Sequence, residues 1–597
     1  MILTNASSAR VGSAAVATMA ILSGATQYLH TFAATTLSRI FSGAINLIKN
    51  GPGILTLSGA NTYTGTTGVI GGVLSVPATS NLPGFSTPGK VAVASGATLA
   101  VGNSVTDAEI TTLLGAAQFV ASSSLGFDTT AGNRTYGAAI TGSIGLAKIG
   151  ANTLTLSSAG NYTGQTQILA GTLATSAGNI IPDTTTVDIS SGATLQLGGG
   201  DTISAISGAG AVVMGANNLA LSGSNTATHS GSITSTTGGL TKSGTGTLTL
   251  SGNLSLGGVL QHQNGTLNLS GTLTTTNSVQ LAWSGNNGTV NITGPITQTG
   301  SFGPRGFQLS ANPNQNGTVN INANVSLATG MMLGDNGGGN ATLNVIGGTV
   351  APNGQIWWSG QVCTLNVSGG LINSSNTTSY IGGGNGSNTI SSLNISGTGF
   401  YSCALFYFGI GGIASSQMFV NLNGGTFSIS GMSSSANGGS GFLNFNGGVF
   451  NIRGTTTIPT SVVCNVKSGG VIFSINTGAT LSLSSALTDG GGGGGVVKDG
   501  AGTLAMAGFD HAYTGSTSIN TGVITVSKTV SGSTATATFT PTTLSVSFAT
   551  APASGTQNFK FFPGATTQAY APAFISLTGA PGRTAIYDSS ISTLIVS

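Results

Sequence analysis

Lys49-Asn50-Gly51-Pro52-Gly53-Ile54-Leu55-Thr56-Leu57-Ser58-Gly59-Ala60-Asn61-Thr62-Tyr63-Thr64-Gly65 is the stretch on which the fold turns, because the chain writes it again. Lys148 opens K-I-G-A-N-T-L-T-L-S-S-A-G-N-Y-T-G, which ends at Gly164. Lys242 opens K-S-G-T-G-T-L-T-L-S-G-N, and Lys498 opens K-D-G-A-G-T-L-A-M-A-G and runs on to Tyr513-Thr514-Gly515. A glycine-led strand follows each copy: Gly72-Val73-Leu74, Gly171-Thr172-Leu173, Gly265-Thr266-Leu267 and Gly522-Val523-Ile524. Leu55 and Leu57 alternate with Thr56, the period of two that sends alternate side chains to opposite faces of a strand. A unit that recurs in this way marks stacked repeats.

A second pattern fills the middle of the chain, an asparagine held between two apolar residues. It occurs at Asn268, Asn291, Asn320, Asn344, Asn366, Asn394, Asn421 and Asn444, with 22 to 29 residues from one asparagine to the next. That spacing suits one coil of three short strands. Alternation puts Leu343 and Val345 inside and Asn344 outside, and coils ~4.8 Å apart bring each residue onto its counterpart in the next. The eight asparagines are therefore expected to form a structural ladder, stacked amides bonded along the axis as in cross-β assemblies. A third motif, S-G-A-T-L or a near copy, appears at Ser95–Leu99, Ser191–Leu195 and Thr477–Leu481. Gly-Gly steps such as Gly347-Gly348 and Gly424-Gly425 supply positive φ at the corners. Gly, Ser, Thr, Asn and β-branched residues disfavour helix throughout.

The lysine-led copies resemble the passenger-associated repeat of bacterial autotransporter proteins, roughly G-x-G-x-L-T-L-S-G-x-N-T-Y-T-G, and Gly51–Gly65 matches it almost throughout. The resemblance implies rungs of a right-handed β-helix on a surface-exposed passenger, and it covers about a quarter of the chain directly. The expected fold is all-β: a long right-handed parallel β-helix with a small C-terminal β-sandwich or barrel and a short N-terminal cap or anchor. Residues 1–46, rich in Ala, Ser and Thr, form the anchor or cap, with one or two short helices. Residues 47–528 form the β-helix, on the order of 20 coils and ~95 Å long at the spacing of strands in a sheet. Residues 529–597, where Phe539, Phe548, Phe559, Phe561, Phe562, Tyr570, Phe574 and Tyr587 gather, form the small β domain.

Composition excludes several classes. Of 597 residues 98 are Gly and only 4% are charged, against roughly 25% in an ordinary domain. Disorder calls for low hydrophobicity with high charge, whereas 39% of this chain is hydrophobic. The mean hydropathy of +0.31 does not signal a membrane span, since no run approaches ~18 apolar residues. The net charge of +3 is unclustered, which argues against nucleic acid as a partner. Cys363, Cys403 and Cys464 read as buried reduced thiols, not as a disulfide framework or a metal site.

Chemistry is sparse. Glu109 stands with ten aspartates and four histidines. Asp183, Asp188 and Asp201 are the one local acidic group in the repeats, and turn capping outweighs a glycosidase-like dyad there. His511 beside Asp510 reads as surface decoration. Gly490–Gly495 lacks the phosphate-loop pattern and reads as a flexible link between coils. Gly334-Asp335-Asn336-Gly337 is a single weak echo of a calcium repeat. Trp357-Trp358 and the Tyr401–Phe408 segment read as core, protein interface or sugar-stacking site.

No catalytic residue, cofactor or metal is assigned, and the expected function is non-enzymatic and structural. About 70 residues follow the repeats, fewer than a barrel of 8–12 strands of ~10 residues needs. Arg10, Val11–Leu22 and Ser23-Gly24-Ala25 make a poor export signal. Those features favour a virion component (phage fibre, spike or capsid decoration) on the particle surface. The alternatives are a secreted autotransporter-like adhesin or passenger, at the bacterial surface or outside the cell, and a polysaccharide-degrading β-helix enzyme. The expected partners are copies of this chain, with a trimer as the candidate state, and other proteins of a larger assembly; a cell-surface glycan or receptor is a further candidate. Contacts are expected at the two ends, with residues 1–46 as the attachment.

Overall fold

The computed structural model describes residues 2–4, 7–9, 26–282, 287–300, 305–309, 316–334, 339–382, 389–409, 415–435, 439–506, 509–552, 554–561, 572–588 and 593–597. Val11–Leu22, Ser23–Ala25, Asp335–Gly337, Phe562 and Tyr570 lie outside the described residues. The chain divides into two compact units, one of residues 1–260 with 265–273 and the other of 261–264 with 274–597. Each is a parallel β-solenoid whose successive strands pair with their counterparts one coil on.

In the first unit one inward column carries five leucines in succession. Leu55 pairs with Leu74, Leu74 with Leu99, Leu99 with Leu125 and Leu125 with Leu146, and all five are sealed from solvent. Burying each contributes roughly 1.5–3 kcal/mol. Among the described residues the first parallel strand is Thr26–His30, paired with Asn46–Asn50, so coils are present inside the segment that the sequence assigned to an anchor or cap. The described residues of that segment form strands, among them Ile2–Thr4, Ser7–Ala9, Thr26–His30 and Thr35–Leu37, and none of them is helical. Ile2–Thr4 runs antiparallel along Thr26–His30, and Ser7–Ala9 pairs antiparallel with it in turn. Antiparallel pairing covers a sheet edge that a parallel coil would leave open to further strands.

Among the described residues one α-helix, Asp107–Ala116, departs from the all-strand expectation. Thr106 and Glu109 close a capping box: the Glu109 carboxylate accepts from the Thr106 backbone N–H at 2.8 Å, and Thr106 Oγ1 accepts from Glu109 N–H at 3.3 Å. The T-x-x-E signature that announces such a start is present in the sequence and outweighs the local β-branched content.

In the second unit the column runs Val290, Val319, Leu343, Leu365, Leu393, Val420, Leu443, Cys464 and Leu487, each in register with the next. A neighbouring column turns aromatic: Tyr401, Phe427, Phe450 and Phe473 succeed one another coil by coil. Phe427 and Phe450 stack with centroids 5.2 Å apart. Trp358, Phe406 and Phe408 join this core. Gly490–Gly495 is a corner between the strands Leu487–Asp489 and Val496–Asp499 of one coil.

The coil-to-coil pairing ends at Val523–Val530, which continues past its coil into antiparallel pairing with Ser533–Phe539 and on to Thr543–Phe548, and Phe574–Thr578 joins that sheet parallel to Thr543–Phe548. A separate three-stranded antiparallel sheet holds Gln557–Lys560, Thr593–Val596 and Ala585–Asp588. Phe539 meets Phe561 at 5.6 Å and Tyr587 at 5.7 Å, and Phe548 meets Phe559 at 5.4 Å. These rings pack the two sheets face to face as a small sandwich.

Shortening a stacked leucine leaves a void that neighbouring coils cannot fill. Leu365→Ala should lower stability by about 2–5 kcal/mol, while Ile346→Ala, at a side chain 51% exposed, should change it by less than about 0.5 kcal/mol. Urea unfolding followed by tryptophan fluorescence measures both.

Candidate functional site

The lysine that opens each copy of the first repeat points inward. Lys49, Lys148, Lys242 and Lys498 share strand parity with Leu47, Leu146, Leu240 and Val496, and all eight are buried. The ammonium groups are met by backbone carbonyls. Lys49 Nζ donates to Asn50 O at 3.0 Å, Gly51 O at 2.8 Å and, from the next coil, Gly71 O at 2.8 Å. Lys148 repeats this on Ile149, Gly150 and Ala170, and Lys498 on Asp499, Gly500 and Thr521. Lys242 binds Gly244 O in the same manner. A buried cation is costly unless its protons are taken up, and here the corner carbonyls of two coils take them up.

The same geometry explains the glycine that opens the following strand. Gly72 has φ +62, and a Cβ there would lie 2.3 Å from Gly51 O and 2.9 Å from Lys49 Nζ. Gly522 has φ +76, and its Cβ would fall 2.6 Å from Lys498 Nζ. The tyrosine of the motif is internal too. Tyr63, Tyr162 and Tyr513 share hydrogen bonds with Thr67, Thr166 and Thr517 at 2.5, 2.6 and 2.5 Å.

The carboxylates serve local structure. Asp107 pairs with Arg134 at 3.0 Å, and Asp128 accepts from Ser75 Oγ at 2.6 Å. Of the acidic trio, Asp183 is exposed, Asp188 accepts from Ser207 Oγ at 2.7 Å, and Asp201 is buried with its Oδ2 on the Ile181 N–H at 3.3 Å. Burial pushes Asp201 up to about 6; the N–H groups of Ile181, Ile180 and Thr202 oppose that, and Asp183 adds to it. His511 is not surface decoration. It is wholly buried, with Nδ1 accepting from Leu487 N–H at 3.0 Å and Nε2 against Met506 O at 3.1 Å. Burial lowers its pKa, against the Met506 carbonyl and Asp510, which raise it. All three cysteines are buried and free, their thiols pushed up to about 12 by burial. Among the described residues no group of three His, Cys, Asp or Glu could hold a metal, and no helix is long and apolar enough to cross a membrane.

The outward asparagines of the second unit stand in one column. Each later amide donates from Nδ2 to the Oδ1 one coil before it: Asn320 to Asn291, Asn344 to Asn320, Asn366 to Asn344, Asn394 to Asn366, Asn421 to Asn394 and Asn444 to Asn421, all at 2.7–2.8 Å. Asn465 adds a rung at 2.8 Å, and Thr488 closes the run with its hydroxyl on Asn465 Oδ1 at 2.7 Å. Asn465 lies between Cys464 and Val466, the same motif with cysteine as its apolar member. Asn268 belongs to the first unit, where its amide donates to Thr249 Oγ1 at 3.1 Å. A second aligned column is aromatic: Trp357 stacks on Tyr380 at 4.5 Å, and Tyr380 meets Tyr407 at 5.7 Å. All three rings are partly buried.

Residues 47–76, 146–174, 240–261 and 496–526 match the family model of the passenger-associated-transport-repeat. Each matched segment contains one of the four buried lysines, and all but 240–261 also contain the glycine that opens the following strand. No curated protein and no solved structure matches the chain.

The clamp makes stability depend on pH with a definite sign. Burial lowers each of the four ammonium groups from 10.5 to about 8, while the carbonyl acceptors act in the opposite direction. Between those values the unfolded chain holds more protons than the folded one, so stability rises with pH. The motif tyrosines are raised above 10, so ionisation of the unfolded chain reverses the trend beyond that point. The urea midpoint should climb from pH 8 toward 10 and then fall. Replacing all four lysines by methionine should flatten the climb and leave the fall.

Proposed function

We propose that this chain is a non-enzymatic, surface-displayed passenger of the secreted autotransporter type, its coils serving as scaffold and adhesive surface. The observation that carries this reading is the fourfold recurrence of the passenger-associated-transport-repeat, each copy built around the same buried ammonium. Low charge and an outer face of amides and hydroxyls suit a scaffold whose stability comes from stacking. The carboxylates support the non-enzymatic part, because Asp107, Glu109, Asp128 and Asp188 are each engaged in a local structural bond. The virion reading, favoured on the length of chain after the repeats, has no comparable observation behind it. Contacts through copies of the chain or through its terminal segments remain part of the proposal.

Protease treatment of intact cells of the native host, with immunodetection of cells, medium and particle fractions, tests it. The chain should be found in the medium or on cells, where added protease removes it. Retention in the cytoplasm, or recovery only with nucleic-acid-containing particles, would contradict it.

A further inference from the structure

One outward face of the second unit carries an open groove of about 620 Å³, within the ~300–1,000 Å³ typical of ligand sites. It spans four successive coils, from Thr297 to Thr377, and none of its lining residues is charged. The row along its length is in register: Thr297 pairs with Ser326 and Ser326 with Ala351. Asn373 follows Ile372 as Ala351 follows Val350, its partner strand. Thr297, Ser326, Asn353, Asn373 and Asn376 are all exposed.

One wall exists because the coil is interrupted there. Ser374 pairs with Cys403 and Thr378 with Leu405, so Ser375, Asn376 and Thr377 stand opposite Ala404 alone. Such a bulge re-aims side chains out of the sheet. This one is tied down: Ser375 Oγ donates to Asn373 Oδ1 at 2.7 Å and shares a bond with Ser402 Oγ at 2.9 Å, and Thr377 Oγ1 donates to Ser374 O at 3.2 Å. Arg453, several coils on, reaches Cys403 O at 2.5 Å and Ser375 O at 3.5 Å from outside the groove. On the far wall buried Gln298 bonds Gly300 O at 2.5 Å and accepts from Ala328 N–H at 3.0 Å. The groove is therefore shaped before any ligand arrives.

We propose that this groove binds a neutral, linear glycan lying along the coil axis. Amides and hydroxyls each donate and accept, which matches sugar hydroxyls, and the lining offers no cation to balance a phosphate or a carboxylate. The ~4.8 Å advance from coil to coil is close to the advance of one pyranose unit in an extended chain, so successive sugars meet equivalent groups. Ala351 interrupts the polar row with a methyl, on which the C–H face of a ring can rest. This inference rests on the non-enzymatic reading only in that the bound sugar should remain intact.

Calorimetric titration of the full chain with cellohexaose, maltohexaose and chitohexaose, with hexagalacturonate as anionic control, tests it. At least one neutral hexamer should bind and be recovered uncleaved. Affinity should drop by about tenfold or more in Asn373→Ala/Asn376→Ala and be abolished in Ala351→Trp, both with unchanged circular dichroism. Binding by none of the neutral hexamers, equal binding by the variants, or tighter binding of hexagalacturonate would overturn the site. Cleavage of a bound hexamer would refute the non-enzymatic reading and leave the groove standing; an internal location of the chain would refute the surface reading alone.

Discussion

A parallel coil must turn its corners without abandoning the carbonyls that point inward there, and the rest of this structure depends on how that is done. At Lys49, Lys148 and Lys498 an ammonium gathers two carbonyls from its own corner and one from the next coil. The bonds fix the distance between coils and the position at which the next strand starts. Gly72 and Gly522 follow from them, because no Cβ fits between the clamped carbonyls and the ammonium. Once the corner is set, like falls on like: leucine on leucine from Leu55 to Leu146, and amide on amide from Asn291 to Asn465.

The two kinds of column divide the labour. Inward columns remove apolar surface from water and supply most of the stability. The outward amide ladder adds bonds whose net worth is about 1 kcal/mol each, but it is intolerant of a shift in register, since a slip of one residue would put Leu343 where Asn344 belongs. The outer surface carries few charges, exposed Asp183, Asp489 and Asp510 among them, and the regular register breaks at the Ser375–Thr377 bulge.

How far the sequence could be read follows from this division. Alternation around Leu343-Asn344-Val345 was legible because strand parity is local, and it places inside and outside residues without knowledge of neighbouring coils. The parity of Lys49 with Leu47 was equally present; a lysine's usual preference for solvent hides its meaning until the carbonyls of Gly51 and Gly71 are seen converging on it. Thr106 and Glu109 announced a helix in a background that argued against one. Burial of His511 was not legible, because it depends on Leu487 and Met506 arriving from the adjacent coil and the adjoining loop. The groove was hidden for the same reason: an insertion such as Ser375–Thr377 is visible only against the strand it fails to match.

In-register stacking is the central claim, and a disulfide reads it directly. Asn344 and Asn366 are partners on adjacent coils, at the ~4.8 Å spacing of paired strands, inside the ~4.4–6.8 Å span that a disulfide bridges. Asn344 and Asn394 are two coils apart, about 9.6 Å by the same spacing, and out of reach. The native thiols, buried and pushed up to about 12, offer little thiolate to compete. Under mild oxidation Asn344→Cys/Asn366→Cys should close an intramolecular disulfide and Asn344→Cys/Asn394→Cys should not. Closure of the second pair as readily as the first, or failure of the first, would contradict the register on which the account stands.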